Sequence, residues 1–182
     1  MRQHILFLGP PGAGKGTQAQ NLISQHGLLH LSTGDLLRAE VKAGTALGQE
    51  AAALMMKGEL VSNDLVLAIV QNNLEKYTGG WLLDGFPRNI TQAKALDFLL
   101  DKIHQPIDIV VLLSMDDDLL IERLLNRGRS DDTEAVIRHR LEIYHEQTSP
   151  LIDFYKNKHL LTQVEASGTV EDIANNISKV LG

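Results

Sequence analysis

The chain has 182 residues, 43% of them hydrophobic, enough for one substantial core with small appendages. Seventeen basic against 23 acidic residues give a net charge of -6, which argues against a phosphate-tracking surface for nucleic acid, and the lack of cysteine excludes disulfides and thiolate zinc sites. The seven histidines have no metal-ligand spacing, so any metal must arrive with a ligand.

The first apolar run, residues 5–8, is too short for a signal-peptide core or a membrane span, so a cytoplasmic address and no membrane partner are expected. It reads as a buried strand. Gly9-Pro10-Pro11-Gly12-Ala13-Gly14-Lys15-Gly16-Thr17 follows it and opens a helix over 17–26, closed by Gly27. That strand, loop and helix setting is the one a P-loop requires. Its glycines free the backbone N–H groups to converge on phosphate oxygens at a helix N-terminus, and the Lys15 ammonium reaches the outer phosphates. Gly16 stands where the strict pattern has Ser or Thr, so direct Mg²⁺ ligation there is not expected, and Thr17 is the alternative.

A second strand at 28–31 is followed by helical periodicity at 36–43 closed by Gly44, at 47–57 with Leu47, Ala51, Leu54 and Met55 on one face, and at 63–76 behind a Ser62 N-cap. Two helices between the second and third runs fall outside the strand-helix rhythm and read as a mobile flap. The third run, 81–83, leads into Asp84-Gly85-Phe86-Pro87-Arg88, an aspartate and an arginine at the carboxyl end of a strand, where open α/β sheets bind ligands. Asp84 can hold Mg²⁺ through water and Arg88 can contact a phosphate, whereas the bland alternative is a rigid strand-to-helix turn. Trp81, Met55, Met56 and His30 read as core or flank residues.

A helix at 91–103, a strand at 107–113 and a helix at 116–126 come next. Five of the eight arginines, Arg123, Arg127, Arg129, Arg138 and Arg140, crowd into this part of the chain, while the nine lysines are scattered. Such clustering in an acidic protein suggests an anion site. Taken singly, each can equally be a solvated helix arginine paired with Glu122, Glu134 or Glu142. The short polar break at 128–132 is a second candidate flap, and its Asp131-Asp132 can either orient guanidinium groups or cap the next helix. One long helix interrupted at Pro150, a strand at 160–164 and a helix capped by Thr169-Val170-Glu171-Asp172 and ending near Leu181 complete the chain.

In this order, GPPGAGKGTQ (9–18), STGDLLR (32–38), KGELV (57–61), LLDGFPRNITQA (82–93), RLLNRG (123–128) and RSDD (129–132) resemble the successive signatures of the adenylate kinase family over essentially the whole chain. The resemblance implies one α/β kinase domain over 1–182. It would be a P-loop three-layer sandwich whose five-stranded parallel sheet is flanked by helices, with an AMP-binding helical flap at 32–61 and a short lid at 127–133. It implies reversible transfer from ATP, bound with Mg²⁺, to AMP, giving ADP, by a monomer. Carried over by position, Gly12, Ala13, Gly14, Lys15, Gly16 and Thr17 bind ATP phosphates, Arg123 and Arg127 are the arginines on the ATP side, and Gly168 makes a backbone contact to its adenine. Thr33 and Gln92 contact the adenine of AMP, Arg38 and Arg88 its phosphate, Glu59, Leu60 and Val61 its surroundings through the backbone, and Gly85, Phe86 and Pro87 the route past its base. Arg129 and Arg140 bridge the reacting phosphates; with Lys15, Asp84, Arg88 and Arg123 they form the expected catalytic set. Only residues 128–130 separate Arg127 from Asp131, so the long hairpin lid of some relatives is absent. UMP/CMP kinases share that short lid; Thr33 and Gln92, against alanine and asparagine there, favour AMP, although Thr33 can instead be a helix N-cap. A P-loop hydrolase switch is the rival from another class.

Overall fold

The computed structural model describes residues 2–182. Five parallel strands, β1 (His4–Leu8), β2 (Leu29–Ser32), β3 (Trp81–Asp84), β4 (Ile109–Ser114) and β5 (Leu161–Glu165), form one sheet in the order β2-β3-β1-β4-β5. Each run expected to be a strand is one, because a run buried on both faces needs no polar alternation.

Period-2 geometry sends alternate β1 residues to opposite faces. Leu6 and Leu8 join a core with α4 (Asn63–Leu74), α5 (Ile90–Lys102) and α8 (Pro150–Asn157). Ile5 and Phe7 join the other core, with α1 (Lys15–His26), α6 (Asp117–Arg127), α7 (Glu134–Ile143) and α9 (Val170–Leu181). The result is the expected three-layer arrangement.

The three expected helices lie between β2 and β3: α2 (Thr33–Ala43), α3 (Ala46–Lys57) and α4. One crossover helix suffices to return a chain to a parallel strand, so two are surplus to the sheet. The first begins three residues before the apolar periodicity does, because the Ser32 side chain caps it by accepting from Asp35 N–H. Ser62 precedes α4 but makes no side-chain cap bond, and α4 ends at Leu74 rather than 76.

The expected long helix is divided upstream of Pro150. Residues Tyr144–Thr148 form a π-helical turn, in which Ser149 N–H donates to Tyr144 O, five residues back, and Ser149 Oγ donates to His145 O. Pro150 itself sits in the first turn of α8, where a missing N–H costs little. The last helix carries the expected capping box between Thr169 and Asp172.

From the adjacent strands β1 and β4 the chain proceeds to opposite edges of the sheet, to β2 and to β5, and this reversal marks the point at the carboxyl ends where an open α/β sheet has its crevice. The turns after β1 and β3 lie side by side there, with Phe7 in register with Asp84.

Candidate active site

A cavity of about 750 Å³ occupies that crevice. Its floor is the loop after β1. Gly9, Gly12 and Gly14 adopt positive φ, whereas Gly16 does not, being already inside α1. Gly12 is closed to any other residue, since a Cβ would lie 2.9 Å from Leu124 Cγ on α6. Lys15 Nζ donates to Gly9 O (2.9 Å) and Pro10 O (3.0 Å), so the ammonium folds back over the loop. Burial pulls its pKa down to about 8; Asp84 opposes this shift, and Arg88 and Arg127 add to it.

Seven cationic side chains, Lys15, Arg38, Arg88, Arg123, Arg127, Arg129 and Arg140, line this one cavity against two carboxylates, Asp35 and Asp84. Arg123 donates to Ala166 O (3.0 Å), tying α6 to the loop that carries Gly168, also on the cavity wall. Arg138 is the exception among the clustered arginines: it points outward and pairs with Glu134 on the surface.

Asp131 and Asp132 orient guanidinium groups and cap nothing, since Thr133 is the N-cap of α7. The fully buried Asp132 side chain accepts from Arg127 Nε and Nη2 (2.8 and 2.7 Å), from Arg129 N–H (3.1 Å) and from Arg140 Nη1 (3.2 Å). Burial alone would raise its carboxyl, yet the bonds and charge of Arg127, the Arg129 amide and the Arg140 charge hold it below the usual range. Arg140 also pairs with Asp131 and reaches Met55 O (3.4 Å) at the end of α3.

On the opposite wall, Thr33 and Gln92 are both buried. Thr33 Oγ1 donates to Gly85 O (3.0 Å), so it is not the cap of α2. Gln92 Oε1 accepts from Arg88 N–H (2.6 Å), Gln92 Nε2 donates to Asn63 Oδ1 (2.9 Å), and Arg88 Nε donates to Gly85 O (2.7 Å). Burial lowers the Arg88 pKa, with Asp84 opposing and Arg140 and Arg38 reinforcing the shift.

Leu60, Val61 and Gly85 line the cavity, but three other expected residues turn away from it. Glu59 directs its carboxylate to His139 Nε2 (2.9 Å) on α7, Phe86 packs into the core, and Pro87 borders a smaller adjoining cavity of about 90 Å³.

Two residues read as core or flank prove to line the cavity, His30 and Met55; Trp81 is core, as expected, and Met56 is exposed. His30 Nε2 is buried without a hydrogen-bond partner, 3.9 Å from Asp84 Oδ2. The available signal was a polar residue within an otherwise apolar strand run, which is costly unless it has a use. A Cβ on Gly16 would meet the same Asp84 oxygen at 3.8 Å, so the carboxylate faces the start of α1. No group of three metal-ligating side chains occurs among the described residues. This donor set fits a hard cation that brings phosphate and water oxygens with it and needs a single carboxylate from the protein.

The cavity is therefore built for extended polyanions, with cationic groups on both sides and amide donors at its floor. A sequence model of the family described as adenylate kinase matches residues 7–160. Proteins named adenylate kinase from Prochlorococcus marinus (strain MIT 9303) and Parasynechococcus marenigrum (strain WH8102) are 64% and 65% identical to this chain over 181 and 182 residues, with 100% of both chains covered in each case. One from Synechococcus sp. (strain WH7803) is 62% identical over 182 residues, again covering 100% of each.

Proposed function

Because this chain belongs to the adenylate kinase family and reversibly moves a phosphoryl group from ATP to AMP, giving two ADP, we propose that its one cavity holds both nucleotides end to end. The seven cationic side chains around a single cavity carry this reading, since two mutually repelling nucleotides need more positive charge than either alone. ATP lies over Gly12, Ala13, Gly14, Lys15, Gly16 and Thr17, with Arg123 and Arg127 on its phosphates and Gly168 beside its adenine. AMP lies against Thr33, Gln92 and the backbone of 59–61 and 85–87, with Arg38 and Arg88 on its phosphate. Arg129 and Arg140 bridge the two.

An oxygen of the AMP phosphate is already anionic at neutral pH and needs no general base. It forms a bond to the γ-phosphorus of ATP as the bond from that phosphorus to the bridging oxygen breaks, and the electron pair stays with ADP. Lys15 and the arginines hold the reactants in line and neutralise the spreading charge. Mg²⁺ arriving with ATP would add to that neutralisation, and Asp84 and Thr17 are the side chains of the cavity that would help hold it. Water is the competing acceptor, so residues 32–61 and 127–133 act as flap and lid that close before transfer. Gly44 between α2 and α3, Gly58 at the end of α3 and Gly128 at the end of α6, all left-handed C-caps, are the pivots.

The same reading makes the protein a monomer of the cytoplasm without a nucleic-acid partner; no helix among the described residues is long and apolar enough to cross a membrane. An acceptor panel with MgATP tests the substrate assignment. AMP should be preferred over CMP, UMP, dTMP and GMP, and ATP loss without an added monophosphate would overturn it. Sedimentation of the purified chain tests the monomer.

A further inference from the structure

Arg88 is anchored at three points. Its N–H is held by Gln92 Oε1 and its Nε by Gly85 O, both within the connection from β3 to α5. Its carbonyl is held from elsewhere, by Thr148 Oγ1 at 2.6 Å, across 60 residues of sequence.

Thr148 is buried, 6% exposed, and ends the π-helical turn that follows α7. The turn lies where the helical stretch changes sides: Ile137 and Leu141 of α7 pack in one core, Leu151 and Tyr155 of α8 in the other. Arg140 is on α7, two helical turns before Thr148. Thus a single stretch of chain carries one arginine of the site and grips the backbone of another. Arg88, Arg140, Tyr144 and Thr148 also border the small cavity behind the phosphate region, so the grip acts directly behind both guanidinium groups.

We propose that Thr148 is a positioning residue for AMP: its hydroxyl fixes the Arg88 carbonyl and thereby sets the spacing between Arg88 and Arg140 across the transferred phosphoryl group. The inference rests on the assignment of Arg88 to the AMP phosphate. The reason for a hydroxyl is burial. In this part-buried contact, a carbonyl deprived of its only side-chain donor turns toward another partner and takes the arginine with it.

Initial rates with AMP and ATP varied separately test this in Thr148→Val, Thr148→Ser and Arg88→Lys, alone and combined. Thr148→Val should raise the KM for AMP roughly tenfold. The KM for ATP should stay within about twofold, and Thr148→Ser should restore the AMP value. In the Arg88→Lys background, Thr148→Val should add almost nothing, because both changes act on the same group. Equal rises for both substrates, a serine variant as poor as the valine one, or additive effects would mark Thr148 as structural and overturn the proposal, leaving the Arg88 assignment intact. An unchanged AMP KM in Arg88→Lys would instead remove that assignment and the proposal with it. If Thr148→Val does not fold, Thr148→Ala provides the same comparison without misfitting bulk.

Discussion

Lys15 shows how much a single buried charge is made to do. Burial has lowered its pKa to about 8, so its charge costs stability at neutral pH and is retained for the phosphates. The penalty is full below about pH 8 and fades as pH rises toward the unfolded value near 10.5, the range in which the unfolded chain holds the extra proton. Lys15→Met should therefore lower kcat on the order of 1,000-fold without reducing stability at neutral pH, and a mutant as active as the parent would refute the role. ATP binding should also take up protons near pH 8.5 and far fewer near pH 6.5, read by calorimetry as a dependence on buffer ionisation enthalpy that Lys15→Met abolishes. Acceptor choice is a residue-scale property too. Thr33 and Gln92 are buried and tied to Gly85 and Arg88, so their positions are fixed by the same bonds that shape the wall proposed for AMP. Thr33→Ala with Gln92→Asn should shift preference from AMP toward UMP or CMP; an unchanged ranking across the acceptor panel would locate base selection elsewhere.

At the scale of elements, the two segments assigned to closure are held in different ways. The segment after α6 is organised around one carboxylate, Asp132, which receives Arg127, Arg140 and the Arg129 amide. Its folded pKa is depressed, so its contribution is present above the unfolded value near 4 and is lost as pH falls through the folded one. Asp132→Asn should cost about 2 kcal/mol at pH 6 and flatten the fall in stability toward pH 3, as measured by denaturant unfolding at the two pH values. The segment α2–α3 depends on close backbone approach instead. A Cβ on Gly48 would stand 2.1 Å from Glu40 O and 2.6 Å from Val41 N, so α3 can pack on α2 only with hydrogen at that position. Gly48→Ala should push the two helices apart and raise the KM for AMP well above any change for ATP; equal effects on both would show that the flap does not report on AMP alone.

The whole molecule is a sheet whose order places two loops and a surplus helical layer around one crevice, and the proposed function depends on filling that crevice from both ends. A dinucleoside pentaphosphate, which joins two adenosines through five phosphates, should bind far more tightly than ATP and raise the Tm by a correspondingly larger amount, because stabilisation grows with the logarithm of ligand concentration over Kd. Binding no better than ATP would sink the two-nucleotide reading. Much of this was legible in the sequence. Apolar runs and helix caps disclosed all five strands and the α/β class, and GPPGAGKGTQ disclosed the glycine loop that lines the cavity, because strand burial and backbone conformation are local properties of residue type. Pro150 disclosed that the long helix is interrupted, but not that the break lies upstream in a π-helical turn, since Ser149 N–H reaching Tyr144 O depends on packing α7 and α8 into opposite cores. Nor were the partners of the arginines legible. Spacing left Arg138 and Arg140 equivalent, whereas folding turned the first to Glu134 on the surface and held the second at the cavity through Asp131 and Asp132. His30 and Thr148 likewise acquire meaning only from Asp84 and Arg88, residues distant in sequence. Residue types and their periodicity determined which elements form and where the glycine loop opens the first helix; which charges meet across the crevice was decided by tertiary contacts, because those pairings lie between segments whose relative placement no local preference specifies.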